Sequence, residues 1–247
     1  MTSSKEKQNI DKIFKEAQND LKTSFFSLKF SPDYLSAVQN FTDAGKGYRK
    51  LKLFKQSLQA FEEAIKCNKK LLESWPEGQN YLQMAEIYLE EFDDENNGIK
   101  HLKNASFAIK VTGKLSMSIK IYIDQANKLI ENKKFSLSLK LLKIAYEDCK
   151  DHTHDDLIRI SMEECYGKII DILCGQESFA EAAELIMDFI KIQKTWKDEK
   201  KYKVSKNYLY LGLIRLIMNE GYLVDSIVDD MFGFYDNSCS DDIDDLR

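Results

Sequence analysis

The chain has 247 residues, of which 43% are apolar and 31% charged, and its net charge is −5. Two prolines and ten glycines are too few for a collagen-like, disordered or turn-dense all-β protein, so the composition favours a helix-rich soluble protein. The charge is uneven, because residues 101–150 carry ten lysines whereas the chain from Glu220 onward carries nine acids and one base. The acidic total is not typical of nucleic-acid-binding proteins, and we expect no nucleic-acid partner.

Cysteine usage and hydropathy predict a cytoplasmic setting. The five cysteines include no C-x-x-C pair, which fits a reducing compartment. The first thirty residues lack the apolar core of a signal peptide, and no stretch approaches the roughly 20 apolar residues that span a bilayer. Any role at a membrane is therefore expected to be peripheral.

Helices are predicted along nearly the whole chain. Apolar residues at helical spacing over residues 10–21 predict a first amphipathic helix. A second helix is predicted to begin with Ser31 as its N-cap and Pro32 in its first turn, with Phe30 and Leu35 packed as a hydrophobic staple. Further breaks between helices are marked by turn-forming or charged residues, near positions 53, 75–76, 93–97, 112–113, 132–134, 151–153, 175–178, 197–201 and 221.

A repeat of helix pairs follows from the spacing of aromatic and small residues. In residues 41–64 such residues fall at offsets 0, 3, 4, 7, 16, 20 and 23. They are Phe41, Ala44, Gly45, Tyr48, Ser57, Phe61 and Ala64. This pattern is typical of a tetratricopeptide (TPR) helix pair, in which small residues let helices approach and large ones fill the gaps. It begins again, with substitutions, at Tyr81, Tyr122, Tyr166 and Tyr208.

These five matches predict an all-α fold, a TPR-like solenoid of helical hairpins that forms a twisted sheet of antiparallel helix pairs. An irregular helical bundle with chance spacing is the alternative. We expect one domain over residues 1–235 and an acidic tail over residues 236–247.

No catalytic motif accompanies the repeat, so we expect a protein that is not an enzyme and that holds no cofactor or metal. Gly113 precedes a lysine but lacks the upstream glycine of a phosphate-binding loop, and it is predicted to be a helix C-cap. Cys149, His152, His154 and Asp155 cluster in a predicted turn. A structural zinc site needs four ligands in closed geometry, and a polar loop is the simpler interpretation.

Several stretches resemble the soluble NSF attachment proteins (SNAPs), and most of all their gamma branch. They are Leu-Lys-Thr-Ser-Phe-Phe at 21–26, Pro-Asp-Tyr at 32–34, Asn-Lys-Leu-Ile-Glu-Asn at 127–132 and Phe-Ala-Glu-Ala-Ala at 179–183. The resemblance implies a non-enzymatic adaptor in membrane fusion. Such an adaptor coats the SNARE four-helix bundle (syntaxin-type proteins) and recruits the AAA ATPase NSF, which takes the bundle apart. Family members usually continue through further helices after the position of Asp236. A generic TPR-type scaffold that binds a peptide or helix in another cytosolic assembly is the alternative.

Three sets of contact residues are predicted. Phe25, Phe26 and Leu28 lie beside lysines, a composition that suits an anionic membrane surface, and the matching loop of SNAPs contacts the bilayer; packing under the second helix is the alternative. A basic stripe for the acidic SNARE bundle is predicted from TPR groove positions, from two residues on the same side of the helix as Lys46, and from a family lysine and a nearby basic family position. It comprises Lys46, Arg49, Lys50, Lys120, Arg159, Lys168 and Lys206.

The third set is acidic. The resemblance implies that carboxylates at the C-terminal end of a SNAP dock onto basic patches of NSF. The matching candidates are Asp225, Asp229, Asp230, Asp241, Asp242, Asp244 and Asp245. Clustered carboxylates speed association with a basic partner more than they add affinity. A solubilising tail is the alternative.

Overall fold

The protein is built from antiparallel helix pairs. The computed structural model describes residues 2–23, 30–196 and 201–244, and over these it contains eleven α-helices, one short 3-10 turn and no strand. The helices are α1 (Thr2–Asp20), α2 (Tyr34–Lys50), α3 (Phe54–Leu71), α4 (Ser74–Glu90), α5 (Glu95–Val111), α6 (Leu115–Glu131), α7 (Phe135–Lys150), α8 (Asp156–Gly175), α9 (Phe179–Gln193), α10 (Lys201–Ile217) and α11 (Val224–Asp244). The predicted all-α architecture of TPR-like hairpins is confirmed.

The start of α2 differs from the prediction. Asp33, not Ser31, is the N-cap, because its carboxylate accepts hydrogen bonds from the Ser36 backbone N–H at 3.0 Å and from the Ser36 hydroxyl at 2.8 Å. The predicted staple is also wrong, since Phe30 is 69% exposed and Leu35 72% exposed. A carboxylate at the N-terminus of a helix accepts a hydrogen bond from a free backbone N–H group and interacts favourably with the positive end of the helix dipole. The start of α2 is therefore fixed without a hydrophobic staple.

Short turns close most of the hairpins. The C-cap of α5 is Thr112, and Gly113, the predicted C-cap, follows it by one residue with φ of +79°. Six other described residues adopt the same left-handed conformation, namely Lys52, Leu72, Asp93, Lys133, Glu177 and Asn219. Each follows the end of an α-helix by one to three residues, so a single left-handed residue reverses the chain at these turns.

The chain divides into two compact units, residues 1–124 and 125–247. In the first unit α1 packs on α2, and α2 to α5 pack in succession. The predicted repeat positions supply its core, and they include Phe41, Ala44, Tyr48, Phe61, Ala64, Met84, Ala85, Leu102 and Ala105, all at most 4% exposed. In the second unit α7 to α11 pack in succession. Its buried repeat positions include Ala126, Leu129, Leu142, Ala145, Ile169, Leu173, Ala182, Ile186 and Leu211, all at most 3% exposed.

A small polar residue has the same role in two repeats. The Ser57 hydroxyl donates to the Gly45 carbonyl at 2.8 Å, and the Ser138 hydroxyl donates to the Ala126 carbonyl at 3.1 Å. Donor and acceptor occupy offsets 16 and 4 in both repeats. Because these hydroxyls are buried, each satisfies its hydrogen bond by tying the second helix of a pair to the first.

The predicted boundary between domain and tail falls inside a helix. Residue 236 lies within α11, which continues to Asp244. The division at residue 235 therefore has no counterpart in the secondary structure and stays a prediction.

Candidate functional site

The first helix of each pair, here called an A helix, carries the positions that line the groove of a TPR-like protein. The A helices are α2, α4, α6, α8 and α10. Groove positions lie two before, one after and five after the leading aromatic residue of each repeat. In both units, neighbouring A helices enclose a cavity lined partly by these positions.

In the first unit the cavity between α2 and α4 measures about 290 Å³. The two helices line it with mostly uncharged polar side chains, which are Gln39, Thr42, Lys46, Gln79, Asn80 and Gln83, together with Val38, Trp75 and Pro76. The Thr42 hydroxyl lies 3.4 Å from the Asn80 amide oxygen and links the two helices across the floor. Of the predicted basic stripe, Lys46 lies in this groove and is exposed.

Arg49 has a different role from the exposed lysines. Its guanidinium donates to Glu86 at 2.6 Å and to Glu90 at 3.0 Å, and it also donates to Gln83 at 3.0 Å. Glu86 is almost buried, so the arginine compensates a carboxylate that water reaches poorly. Arg49 therefore fastens α2 to α4, and its charge is largely neutralised within the protein.

In the second unit the cavity between α8 and α10 measures about 430 Å³. A buried polar chain forms its wall, because the Tyr166 hydroxyl donates to Asn207 at 2.9 Å and Asn207 donates to Gln193 at 2.6 Å. Burial raises the pKa of the Tyr166 phenol well above its usual value, so the hydroxyl stays a donor. Lys203 donates to Glu163 at 2.7 Å at the same cavity.

Lys206 is the predicted residue that lines this cavity. It is exposed, and its ammonium lies 5.4 Å from the centre of the Tyr210 ring. Lys168 lines another cavity, of about 400 Å³, beside Asp171, and its ammonium is 3.6 Å from Glu164. Arg159 pairs with Asp156 at 2.9 Å and lies 5.8 Å from the Trp196 ring centre. Lys168 and Arg159 are thus partly compensated, whereas Lys206 is not paired with a carboxylate among the described residues.

The other predicted contacts are distributed as follows. Lys50 on α2 and Lys120 on α6 are exposed. Asp225, Asp229 and Asp230 are exposed on α11, but Asp230 lines a cavity with Lys191 and Lys194. Asp241, Asp242 and Asp244 belong to the last turns of α11. Asp245, Phe25, Phe26 and Leu28 lie outside the described residues.

The predicted polar turn contains Cys149, His152, His154 and Asp155. Asp155 caps α8 by accepting hydrogen bonds from the backbone N–H groups of Leu157 and Ile158. Cys149 is buried, and this burial raises the pKa of its thiol to about 12. The His152 and His154 rings lie 6.2 Å apart. Among the described residues no group of acidic, His and Cys side chains is arranged to hold a metal ion.

Sequence reasoning missed the uncharged half of both grooves. Gln39, Thr42 and Gln79 occupy the same TPR groove positions as the lysines, so the positional rule alone would have found them. Tyr202 and Tyr210 also line the second groove, and they fall outside that rule. Their exposure depends on how α10 packs, which spacing alone does not reveal.

Comparison with known proteins identifies the family. The family model described as "Soluble NSF attachment protein, SNAP" matches residues 8–232. The chain belongs to the SNAP family. The match covers every A helix and reaches into α11. No curated protein matches the chain significantly.

Two solved structures resemble the fold of this SNAP-family chain. The crystal structure of BtubC (BKLC) from P. vanneervenii aligns with a TM-score of 0.44 and 12% identity, over 96% of this chain and 92% of that one. A Podosopora anserina putative kinesin light chain with nearly identical TPR-like repeats aligns with a TM-score of 0.37 and 10% identity, over 82% and 96%. Both likenesses are too distant to bear on function. None of the described helices combines the length and apolar character needed to span a bilayer.

Proposed function

We propose that this chain is a non-enzymatic adaptor in vesicle and membrane fusion that binds the SNARE four-helix bundle and recruits NSF for its disassembly. The observation that carries the proposal is the SNAP family match over residues 8–232. We assign it to the gamma branch on the sequence stretches that resemble that branch. The adaptor is cytoplasmic and attaches to membranes peripherally.

The proposed SNARE contact uses the lysines of the A helices. Lys46, Lys50, Lys120 and Lys206 are exposed, and exposed cations can meet the acidic outside of a SNARE bundle. Three of the predicted cations already pair with carboxylates of their own chain, namely Arg49, Arg159 and Lys168. We therefore expect them to contribute less to the affinity for the SNARE bundle. Each exposed ion pair contributes only about 0.2–1 kcal/mol, so affinity depends on several pairs and falls as salt is added.

The proposed NSF contact uses the acidic residues of α11. Asp225 and Asp229 are exposed, and the residues at 241–245 add carboxylates at the end of the chain. Asp230 faces a cavity beside two lysines, which reduces the charge it offers to a partner. The proposed membrane contact remains Phe25, Phe26 and Leu28, on the strength of the sequence alone.

The direct test is a pair of pull-downs with the purified chain. The bait is an assembled SNARE four-helix bundle in one and NSF in the other. We expect capture in both, with binding to the bundle weakened as salt rises. Capture of neither would reject the adaptor function and leave a TPR-type scaffold for another assembly. A third pull-down uses isolated SNARE chains as bait, and capture of these but not of the assembled bundle would reject the coating mode.

A further inference from the structure

In the first unit, alternate turns between helices emerge at the same edge. Ala17 near the end of α1, Ala37 near the start of α2 and Cys67 near the end of α3 share one buried apolar cluster. Further along the unit, a Cβ on Gly78, near the start of α4, would lie 2.8 Å from the Ile109 side chain, near the end of α5. The turn from α3 to α4 and the turn from α5 to α6 therefore lie at one edge of this unit.

Leu72, in the turn between α3 and α4, combines high exposure with an uncommon backbone conformation. Its side chain is 87% exposed, and its φ is +59°. The other non-glycine residues that the structure describes with a left-handed backbone all have polar or charged side chains, namely Lys52, Asp93, Lys133, Glu177 and Asn219. The left-handed region disfavours side chains with a Cβ, and an exposed leucine gains no burial that would compensate. Packing within the chain therefore does not account for a leucine at this position.

The turn after α5 also presents an apolar side chain. Val111, the last residue of α5, is 61% exposed. In the same turn, the Lys114 ammonium lies 4.2 Å from the ring centre of Trp75, which belongs to the first turn of α4. Because α4 begins directly after the turn that contains Leu72, this contact shows that the two turns are neighbours. Leu35, in the first turn of α2, is 72% exposed and adds a third apolar side chain to the edge.

Exposed lysines flank the apolar side chains of both turns. Lys70 lies two residues before Leu72, and Lys110 lies directly before Val111. Neither lysine is paired with a carboxylate in the described part of the chain. Glu73 is the single carboxylate between the helix ends at these two turns, so positive charge prevails there.

The turn between α4 and α5, at the opposite edge of the unit, has the reverse character. Its charged residues are the carboxylates Glu91, Asp93 and Asp94. Its apolar residue, Phe92, packs against Phe54, with the two ring centres 6.1 Å apart. An exposed apolar side chain beside lysines is therefore not a general property of the turns in this unit.

We propose that the edge with Leu72 contacts the surface of an anionic membrane. We call it the Leu72 edge, and its residues are Leu35, Lys70, Leu72, Lys110, Val111 and Lys114. Apolar side chains enter the boundary between headgroups and acyl chains, while neighbouring lysines meet anionic headgroups. Apolar side chains on separate turns of one edge suit a flat surface, which can meet all of them at once. The proposal rests on the peripheral attachment of the adaptor proposed above and adds a contact outside residues 25–28.

Co-sedimentation of the full chain with vesicles tests the proposal. The vesicles consist of phosphatidylcholine alone or of phosphatidylcholine mixed with phosphatidylserine. We expect the unmodified chain to bind the mixed vesicles and to dissociate as salt rises. Leu72→Asn with Val111→Thr should weaken this binding about three- to tenfold, because both apolar contacts are lost.

The same two substitutions separate membrane contact from folding. Asparagine adopts the left-handed conformation more readily than leucine, and threonine keeps the branched shape of valine. Since both positions are exposed, thermal unfolding should show no loss of stability. The matched control is Leu209→Asn with Ile217→Thr on α10, where the side chains are 61% and 58% exposed. These residues lie outside the Leu72 edge, so the control should bind vesicles like the unmodified chain.

Charge reversal tests the role of the lysines. Lys70→Glu with Lys110→Glu should weaken binding to the mixed vesicles at least about tenfold, because attraction to anionic headgroups becomes repulsion. The matched control is Lys52→Glu with Lys55→Glu, at exposed positions around the turn between α2 and α3 at the opposite edge. This control should have a much smaller effect.

Three results would overturn the proposal. One is a chain that does not bind the mixed vesicles, or that binds both kinds of vesicle equally. Another is binding that Leu72→Asn with Val111→Thr leaves unchanged. The third is unchanged vesicle binding by this variant together with weaker capture of the SNARE bundle, which would assign the Leu72 edge to a protein partner.

The pull-downs proposed above contain no membrane, so failure of the adaptor function is recognised separately. A chain that captures the SNARE bundle and NSF, but whose vesicle binding does not respond to changes at Leu72 and Val111, keeps the adaptor function and loses this contact. A chain that captures neither partner, but whose vesicle binding responds as expected, loses the adaptor function and keeps the contact.

Discussion

Arg49 on α2 reaches across to Glu86 on α4, and its guanidinium donates to that carboxylate at 2.6 Å. The two residues are separated by 37 positions in the chain and sit on consecutive A helices. The ion pair therefore links the two helices that line the first groove. Arg49, which the sequence analysis places in the binding stripe, thus already contacts two carboxylates of its own chain.

Removing Arg49 should destabilise the protein. Arg49→Met removes a cation that pairs with Glu86, whose side chain is 11% exposed, and we expect a loss of about 1–3 kcal/mol in the free energy of unfolding. Urea unfolding measures it. Lys50→Met, at an exposed neighbouring position, should change stability by less than about 0.5 kcal/mol. When Glu86→Gln is already present, Arg49→Met should lower the free energy of unfolding by a smaller amount. An unchanged loss would mean that the two residues are not energetically coupled.

Gly45 should not tolerate a methyl group. A Cβ at this position would lie 2.7 Å from the ring of Phe61, which is fully buried and cannot move aside. We expect Gly45→Ala to lower the free energy of unfolding by about 1–3 kcal/mol. Gly167→Ala on α8 is the opposite control, since a Cβ there meets nothing within 4 Å, and it should raise stability by about 0.5–1 kcal/mol. Equal effects at the two positions would contradict close packing of α2 against α3.

His101 should make stability depend on pH. Its ring stacks between Tyr81 at 5.8 Å and Tyr88 at 5.2 Å, and burial, aided by Lys100, lowers its pKa below the ordinary 6.5. The unfolded chain therefore binds a proton at a higher pH than the folded chain does. The contribution of His101 to the free energy of unfolding is therefore fully present above pH 6.5. It decreases as the pH falls from 6.5 towards the pKa of this imidazole in the folded protein. Thermal unfolding of His101→Phe should show a smaller drop over this range than the unmodified chain; identical slopes would rule the residue out.

The membrane prediction depends on Phe25 and Phe26. Replacing both by Ser should weaken binding to liposomes that contain anionic lipid, because apolar insertion and lysine attraction act together at such a surface. Liposome co-sedimentation measures the binding, and thermal unfolding measures stability. Thermal stability should stay nearly unchanged. A large loss of stability would show instead that these side chains belong to the core.

Much of the fold could be predicted from the sequence, because close helix packing requires small residues at fixed offsets. Gly45, Ala126, Ser57 and Ser138 occupy those offsets and make equivalent contacts. The cap of α2 was misplaced because Ser31 and Asp33 are both good N-cap residues, and only the local geometry distinguishes them.

The candidate site was harder to predict than the core. The sequence contains the lysines, but it does not say which of them meet a carboxylate of their own chain. Arg49 finds its partners one repeat away, at Glu86 and Glu90, through the packing of α2 on α4. Leu209 and Leu213 lie one and five positions after Tyr208, which are groove positions of the last repeat, and both side chains remain exposed.

The measurement that tests the adaptor function most directly is disassembly of a fluorescently labelled SNARE bundle by NSF and ATP with this chain as the only adaptor. We expect disassembly that requires the chain and slows as salt rises. Lys46→Glu with Lys120→Glu, both exposed on A helices, should reduce the rate strongly. The same charge change at Lys55 and Lys103, exposed on α3 and α5, should not. A SNARE bundle that stays intact with the unmodified chain, under conditions where NSF is active with another adaptor, would contradict the proposed function.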